Sequence, residues 1–295
     1  MGNAVIESKL TSIKEYYVGK IRDMYDLGPE ELLVIASDRI SCFDFVLPTP
    51  VPEKGIILNK LSLFWFNYLK DIVGNHFIHD DINKFTGILS DREKEVIKDR
   101  FMVVKRAKRI NIECVVRGYL AGSGFEEYKK FGTVAGIKLP SGLQESDKLP
   151  EPLFSPAIKS MSGHDINVTE EQVVDNEGKA TTNFLKDKSI KLYEKASKYA
   201  RERGVIIADT KFEFGIYGDK IILIDEVLTP DSSRFWDVEK YGPGKHQEAL
   251  DKQFVRDYLI SIKWDKQPPV PQLPEDIVKH TQDKYWECYN KLTKK

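Results

Sequence analysis

Two short segments concentrate the acids best placed for chemistry: Asp209-Thr-Lys-Phe-Glu213-Phe-Gly215 and Asp225-Glu-Val-Leu-Thr-Pro-Asp-Ser-Ser-Arg234-Phe-Trp236. Each follows an apolar, β-forming run, Val205 to Ala208 and Ile221 to Ile224. A three-residue loop at Gly218-Asp219-Lys220 sets Glu213 opposite Asp225 on one face of a hairpin. A two-residue loop at Gly218-Asp219 puts Asp225 on the other face, because strand side chains alternate. Like charges directly opposite repel, so such a pair calls for a cation. A small number of oxygen ligands suits Mg²⁺ shared with substrate phosphates. The hairpin alone reads equally as a solvated acidic strand end with Lys211 as partner.

Cationic turns lie elsewhere. Val18-Gly19-Lys20-Ile21-Arg22-Asp23 sets a glycine and two cations between strands, so backbone amides near Gly19 can approach phosphates while Lys20 and Arg22 supply charge. The Walker spacing is absent, and a plain surface hairpin is the competing reading. In Glu113-Cys-Val-Val-Arg117-Gly-Tyr-Leu-Ala-Gly122-Ser123-Gly124 a strand delivers Arg117 into a small-residue turn that opens a helix. Free helix-start amides, a hydroxyl and a guanidinium make a phosphate monoester site. A packing turn explains the glycines, but not Arg117 and Ser123 with them. Ser37-Asp38-Arg39-Ile40-Ser41-Cys42-Phe43-Asp44, after the strand Leu32 to Ala36, suggests a ligand loop that Lys54-Gly55 and Asn59 can join. An Asx-type turn is the plain alternative. The basic run Lys98 to Arg109 lacks interleaved aromatics and reads as a solvated face with one or two nucleotide contacts. His76 and His79 read as surface residues, and His164 sits in a polar loop.

The elements that must position these groups differ along the chain. Tyr16 to Tyr25, Leu32 to Ala36 and Phe101 to Arg106 are β-type runs. Apolar positions 58, 61, 65, 69 and 72 mark a helix from Leu58 to Val73 that Gly74 can close. Ser90-Asp-Arg-Glu93 is a capping box opening a helix to about Arg100. Gly124 to Phe131 suits a short helix, and Thr133 to Pro156 reads as a long ordered loop or crossover. Asn183 to Arg203 is the clearest helix, closed by Gly204. His246 to Ile260 and Pro274 to Leu292 follow as helices. A boundary near residues 110 to 118 divides a β-rich part, 1–115, from an α+β part, 116–295.

The 295 residues suffice for one large or two smaller domains. A net charge of −1 gives no global field to recruit nucleic acid or anionic membrane. There is no apolar run long enough to span a bilayer and no signal-peptide core. Cys42, Cys114 and Cys288 lack metal-type spacing, which points to a reduced, cytoplasmic setting.

Together, Gly19-Lys-Ile-Arg22, Ser37 to Asp44, Glu113 to Arg117 with Ala121-Gly-Ser-Gly124, Asp209 to Gly215 and Asp225 to Arg234 resemble the SAICAR synthetase family of purine synthesis in its longer form. The resemblance runs from about residue 16 to 260. It implies an ATP-dependent carbon–nitrogen ligase that joins L-aspartate to the carboxylate of carboxyaminoimidazole ribonucleotide (CAIR). The implied fold is α+β: an N-terminal β-rich domain similar to a kinase small lobe, a C-terminal ATP-grasp-related domain, and a nucleotide cleft between. On this resemblance Gly19, Lys20, Ile21 and Arg22 lie over the ATP phosphates, and Lys105, Ala107, Lys108 and Ile110 form the strand and hinge beside adenine. Glu213 and Asp225 are the implied Mg²⁺ ligands. Arg117, Ser123 and Arg234 are assigned to the ribotide, with Lys252 and Arg256 as further contacts, Asp38, Arg39 and Ser41 to aspartate, and Glu113 to substrate binding. Lys20, Arg234 and Lys211 are the expected catalytic cations. The expected partners are these small molecules, with the chain a monomer or homodimer. A small-molecule kinase and a non-catalytic phosphate-binding protein are the competing classes.

Overall fold

The computed structural model describes residues 4–159 and 165–294, so His164 lies outside the described residues. The first half builds an antiparallel sheet in the order Glu15–Val18, Arg22–Asp26, Glu31–Ala36, Phe101–Lys105, Phe77–His79. Leu33, Ile35, Phe101 and Val103 pack on one face with Leu10, Phe85 and Ile97. On the other face Leu32, Met102 and Val104 meet Ile57, Leu61 and Trp65 of the helix Lys54–Tyr68. This helix begins and ends earlier than its apolar period suggests. Leu69 and Val73 continue that spacing and are buried, but they lie in the turn after the helix.

The 13-residue strand Val205–Tyr217 is the spine of the second sheet. Its first half lies between Cys114–Tyr119 and Ser233–Asp237, and its second half between Lys220–Ile224 and Lys108–Arg109. The helix Lys179–Arg201 covers it through Leu185, Leu192, Tyr193 and Ala196, and Gly204 follows in the left-handed conformation. One apolar core runs from Ile21, in the turn before Arg22–Asp26, and Leu32 of the first sheet through Phe212 and Phe214 to Tyr285 and Leu292 of the last helix.

Several expectations are corrected. Thr133 to Pro156 is not a loop: it holds the hairpin Thr133–Val134 with Ile137–Lys138 and then the edge strand Lys148–Phe154. Pro150 and Pro152 concealed that strand, since proline is tolerated at a sheet edge where an N–H is dispensable. The helix expected from His246 starts at Gln253, where the Asp251 carboxylate accepts the Gln253 N–H at 2.8 Å. The capping box at Ser90 forms but its helix stops at Ile97, and Thr169 caps an unanticipated helix, Glu170–Glu177. Residue 115 falls inside the strand Cys114–Tyr119, and the chain already enters the second sheet at Lys108–Arg109. Among the described residues no helix is long and apolar enough to cross a membrane.

Candidate active site

Antiparallel register creates the most charged junction in the second sheet. Asp209 pairs with Arg117 on one side and with Arg234 on the other. Arg234 Nη1 donates to both Asp209 oxygens, at 3.0 and 2.7 Å, and Arg117 Nη1 to Oδ2 at 3.2 Å. Arg117 also donates to Ser155 Oγ at 2.9 Å and to Ser123 Oγ at 3.1 Å. Burial is the largest influence on both guanidiniums: it leaves Arg117 below its ordinary value, whereas Asp209 holds Arg234 above it. Two guanidiniums against one carboxylate leave net positive charge at the start of the helix Gly122–Phe131, whose first amides have no intrahelical partner. The turn admits this crowding only because Gly122 and Gly124 lack side chains. A Cβ on Gly122 (φ +53°) would lie 2.0 Å from Arg234 Nη2, and one on Gly124 would lie 3.1 Å from Arg117 Cδ.

The acidic hairpin uses the tighter of its two possible loops. Tyr217 pairs with Lys220 and Glu213 with Ile224, so the three-residue register that sets Glu213 opposite Asp225 is not adopted. The strand ends at Ile224, and Asp225 turns out of it with φ +67°. That turn frees Asp225 from strand alternation and brings it with Glu226 to a common partner. Arg22 Nη2 lies 2.5 Å from Asp225 Oδ1 and Nη1 lies 3.1 Å from Glu226 Oε1. Burial opposes the charge on Arg22, but Asp225, Glu226 and Glu213 outweigh it and raise its pKa. His76 is not the surface residue expected. It is buried edge-on against Phe66, and burial, reinforced by the charge of Arg22, drops its pKa to about 3. Among the described residues no three or more Asp, Glu, His or Cys gather as a ready-made metal cage.

Lys20, half-exposed, reaches Asp44 at 3.0 Å, and the Gly19 N–H donates to Arg22 O at 2.7 Å, closing the turn between the first two strands. Lys211 Nζ donates to both oxygens of the buried Glu113, at 3.0 and 3.1 Å. Glu113 and Glu213 line one cleft of about 240 Å³ with Arg109, Ile110, Asn111, Ile112 and Ile158. Beside it the Ile110 N–H donates to Phe214 O, Lys108 pairs with Ile216, and the Ala107 Cβ comes against Gly215. Lys105 Nζ lies 5.6 Å from the centre of the Tyr217 ring.

Two of the residues expected on the aspartate side are engaged within the chain. Asp38 is fully enclosed and takes the N–H groups of Val5 and Gly55 and the guanidinium of Arg100, each at 2.8 Å. Arg39 pairs with Asp23 at 2.7 Å and donates to the carbonyls of Gly19 and Lys20 at 3.0 Å. Both thereby hold the loop and the Gly19-Lys20 turn in place. Ser41 pairs with Val46 in a short, separate hairpin. Lys252 and Arg256 belong to a different buried cluster. Lys54 Nζ lies 2.8 Å from Asp231 Oδ2, Lys252 Nζ 4.0 Å from Oδ1, Tyr285 donates to Oδ1 at 2.7 Å, and Arg256 lies 3.4 Å from Asp251. Sequence reading left Asp209 and Glu226 unassigned and did not consider Ser155. Only strand register, which sets Asp209 between two arginines, distinguishes Asp209 from an ordinary strand-end acid.

This arrangement matches known proteins over its whole length. The profile of the SAICAR synthetase family fits residues 15–271. The chain is 52% identical to the phosphoribosylaminoimidazole-succinocarboxamide synthase of Thermodesulfovibrio yellowstonii, over 99% of this chain and 100% of that one. The SAICAR synthase of Saccharomyces cerevisiae, solved in complex with SAICAR, superposes with a TM-score of 0.90 at 41% identity, covering 99% of both chains. A SAICAR synthetase solved in complex with ADP, 23% identical, shares the fold with a TM-score of 0.70 over 95% of this chain and 97% of its own. With the motifs, the topology and the near-complete coverage in agreement, the chain belongs to the SAICAR synthetase family.

Proposed function

We propose a division of labour along the long strand for the reaction that the family name carries: a carbon–nitrogen ligase of purine biosynthesis, joining L-aspartate to CAIR to give SAICAR, ADP and phosphate. One observation supports it most. The strand Val205–Tyr217 carries Asp209 with its two arginines and, four residues on, Glu213 in the cleft. At about 3.3 Å per residue the two positions are roughly 13 Å apart. A ribotide laid along the strand then has its phosphate at Arg117, Ser123, Arg234 and the helix start, and its imidazole carboxylate toward the nucleotide.

A carboxylate accepts an amine at neutral pH only after one oxygen becomes a leaving group. The CAIR carboxylate oxygen attacks the γ-phosphorus of ATP, the bond to the bridging oxygen breaks, and ADP leaves. The aspartate amine then attacks the acyl carbon, phosphate departs and the amine proton is lost. Phosphoryl transfer asks for alignment and charge neutralisation more than a protein nucleophile. Gly19, Lys20 and Ile21 form the turn that covers the phosphates, with Lys20 supplying charge. Lys105, Ala107, Lys108 and Ile110 border the adenine side, between a kinase-like small lobe and an ATP-grasp-like second half. Glu113 fixes Lys211 at the cleft, and on this reading Lys252 and Arg256 serve the ribotide as further contacts and Ser41 serves the amino acid.

Glu213 and Asp225 fit Mg²⁺: they are hard oxygen donors, few in number, facing a site where this chain already places a cation, Arg22. When bound, the ion supplies charge neutralisation to the transferring phosphoryl group. The test is ADP release on mixing protein, ATP, Mg²⁺ and CAIR, with and without aspartate. SAICAR formed only with aspartate supports the ligase. A stable phosphorylated ribotide accumulating without aspartate overturns it in favour of a kinase.

A further inference from the structure

Arg22 stands among three carboxylates that come from a different sheet. It rises from the first sheet on Arg22–Asp26, whereas Glu213, Asp225 and Glu226 belong to the second sheet and the turn that leaves it. Its two terminal nitrogens divide between two different acids, Nη2 to Asp225 and Nη1 to Glu226. Glu213, which lines the cleft, also acts on its charge. The side chains of Arg22, Asp225 and Glu226 are 18%, 22% and 11% exposed, so the charges meet where water screens them weakly.

We propose that Arg22 is the chain's own stand-in for the divalent cation: it neutralises these acids until nucleotide arrives, and metal enters their site only as Arg22 is released to the nucleotide phosphates. This rests on the reading of Glu213 and Asp225 as metal ligands. A metal ion entering alone would have to push a guanidinium off its partners and leave that charge half-buried and unpaired, which is strongly unfavourable. Phosphate oxygens remove the penalty by offering Arg22 a second anion. Metal and nucleotide are thus coupled, each raising the other's affinity by the same factor. The two-armed bridge also makes arginine specific here, since an ammonium is a single point of charge.

The test titrates Mn²⁺ into nucleotide-free protein by calorimetry and follows melting temperature with and without Mg²⁺. The wild-type chain should bind Mn²⁺ weakly and show no melting shift with Mg²⁺ alone. Arg22→Met should bind Mn²⁺ at least about tenfold tighter and be stabilised by Mg²⁺, as binding to the native state alone requires. Arg22→Lys should resemble Arg22→Met, and adding Glu213→Gln to Arg22→Met should abolish the gain. Wild-type affinity in Arg22→Lys would mean that net charge alone excludes metal, and a gain that survives Glu213→Gln would place the ion elsewhere; either overturns the proposal. If Arg22→Met does not fold, a wild-type melting temperature that rises with Mg²⁺ alone overturns it equally. Mg²⁺-dependent turnover with equal Mn²⁺ affinity in wild type and Arg22→Met would sink this inference and leave the metal reading standing. Mg²⁺-independent turnover would sink the metal reading itself.

Discussion

Arg234 holds both oxygens of Asp209, at 3.0 and 2.7 Å, while Arg117 approaches the same carboxylate from the neighbouring strand at 3.2 Å. One acid thus keeps a buried guanidinium and a partly buried one together. Asp209→Asn leaves both guanidiniums under-compensated. The expected loss is about 3 kcal/mol of folding stability, the scale for breaking a buried ion pair. Inorganic phosphate should restore more of the melting temperature in the variant than in wild type, because the anion replaces the missing charge. Equal phosphate shifts in both proteins would contradict the placement of the ribotide phosphate.

Two glycines on adjoining segments should separate binding from folding. Gly122→Ala puts a methyl group 2.0 Å from Arg234 Nη2 and forces a left-handed backbone on alanine, so Arg234 must move. An increase in KM for CAIR of about tenfold is expected, corresponding to about 1.4 kcal/mol of lost binding. Gly118→Ala meets the Tyr193 hydroxyl at 1.9 Å instead, breaking the 2.7 Å hydrogen bond from Tyr193 to Ile207 O behind the sheet. That variant should lose stability, with KM changed far less. Steady-state kinetics beside denaturant melts give both comparisons, and similar KM changes in the two variants would refute the distinction.

What the sequence made legible was local. The helix around Leu185, Leu192 and Ala196 and the Ser90–Glu93 capping box follow from spacing within one segment, and both form. The Gly122-Ser-Gly124 turn beside Arg117 is likewise written in contiguous residues, and Arg117 does reach Ser123. Register was not legible, because loops of two and three residues at Gly218 are both acceptable hairpin turns and a single residue decides which face Asp225 takes. The location of Arg22 depends on two sheets meeting, which no single segment encodes. The enclosure of Asp38 is also tertiary: Arg100, 62 positions away, and Gly55 claim the carboxylate that a lone loop would present to solvent.

Glu213→Gln and Asp225→Asn should each abolish SAICAR formation while leaving folding largely intact, for different reasons. Glu213 borders the cleft, and its removal takes a donor from the proposed metal site. Asp225 also anchors Arg22, so Asp225→Asn frees one arm of the guanidinium. ADP release measured against Mg²⁺ concentration checks both. A normal Mg²⁺-dependent rate in either variant would remove that residue from the proposed ligand set.

The buried pair Lys54–Asp231 should give the acid limb of stability a distinct shape. The two side chains are 0% and 2% exposed, and Tyr285 completes the carboxylate's partners. Burial alone would raise the carboxyl pKa of Asp231, but Lys54 and Lys252 outweigh it and hold it well below the usual range. A carboxyl depressed in the folded state contributes stability that is fully present above its unfolded value of about 4 and is lost as pH falls toward the folded value. Lys54→Met leaves Asp231 with a more distant cation only, and at pH 7 a loss of about 3 kcal/mol is expected. The gap between the two proteins should narrow as pH falls through the variant's own Asp231 pKa, which loss of Lys54 leaves higher than in wild type, because the variant's carboxyl takes up a proton there while the wild-type one stays ionised. Urea denaturation from pH 7 downward measures the gap, and one that stays constant down to pH 2 would mean that Lys54 stabilises the fold by packing and not through the charge of Asp231.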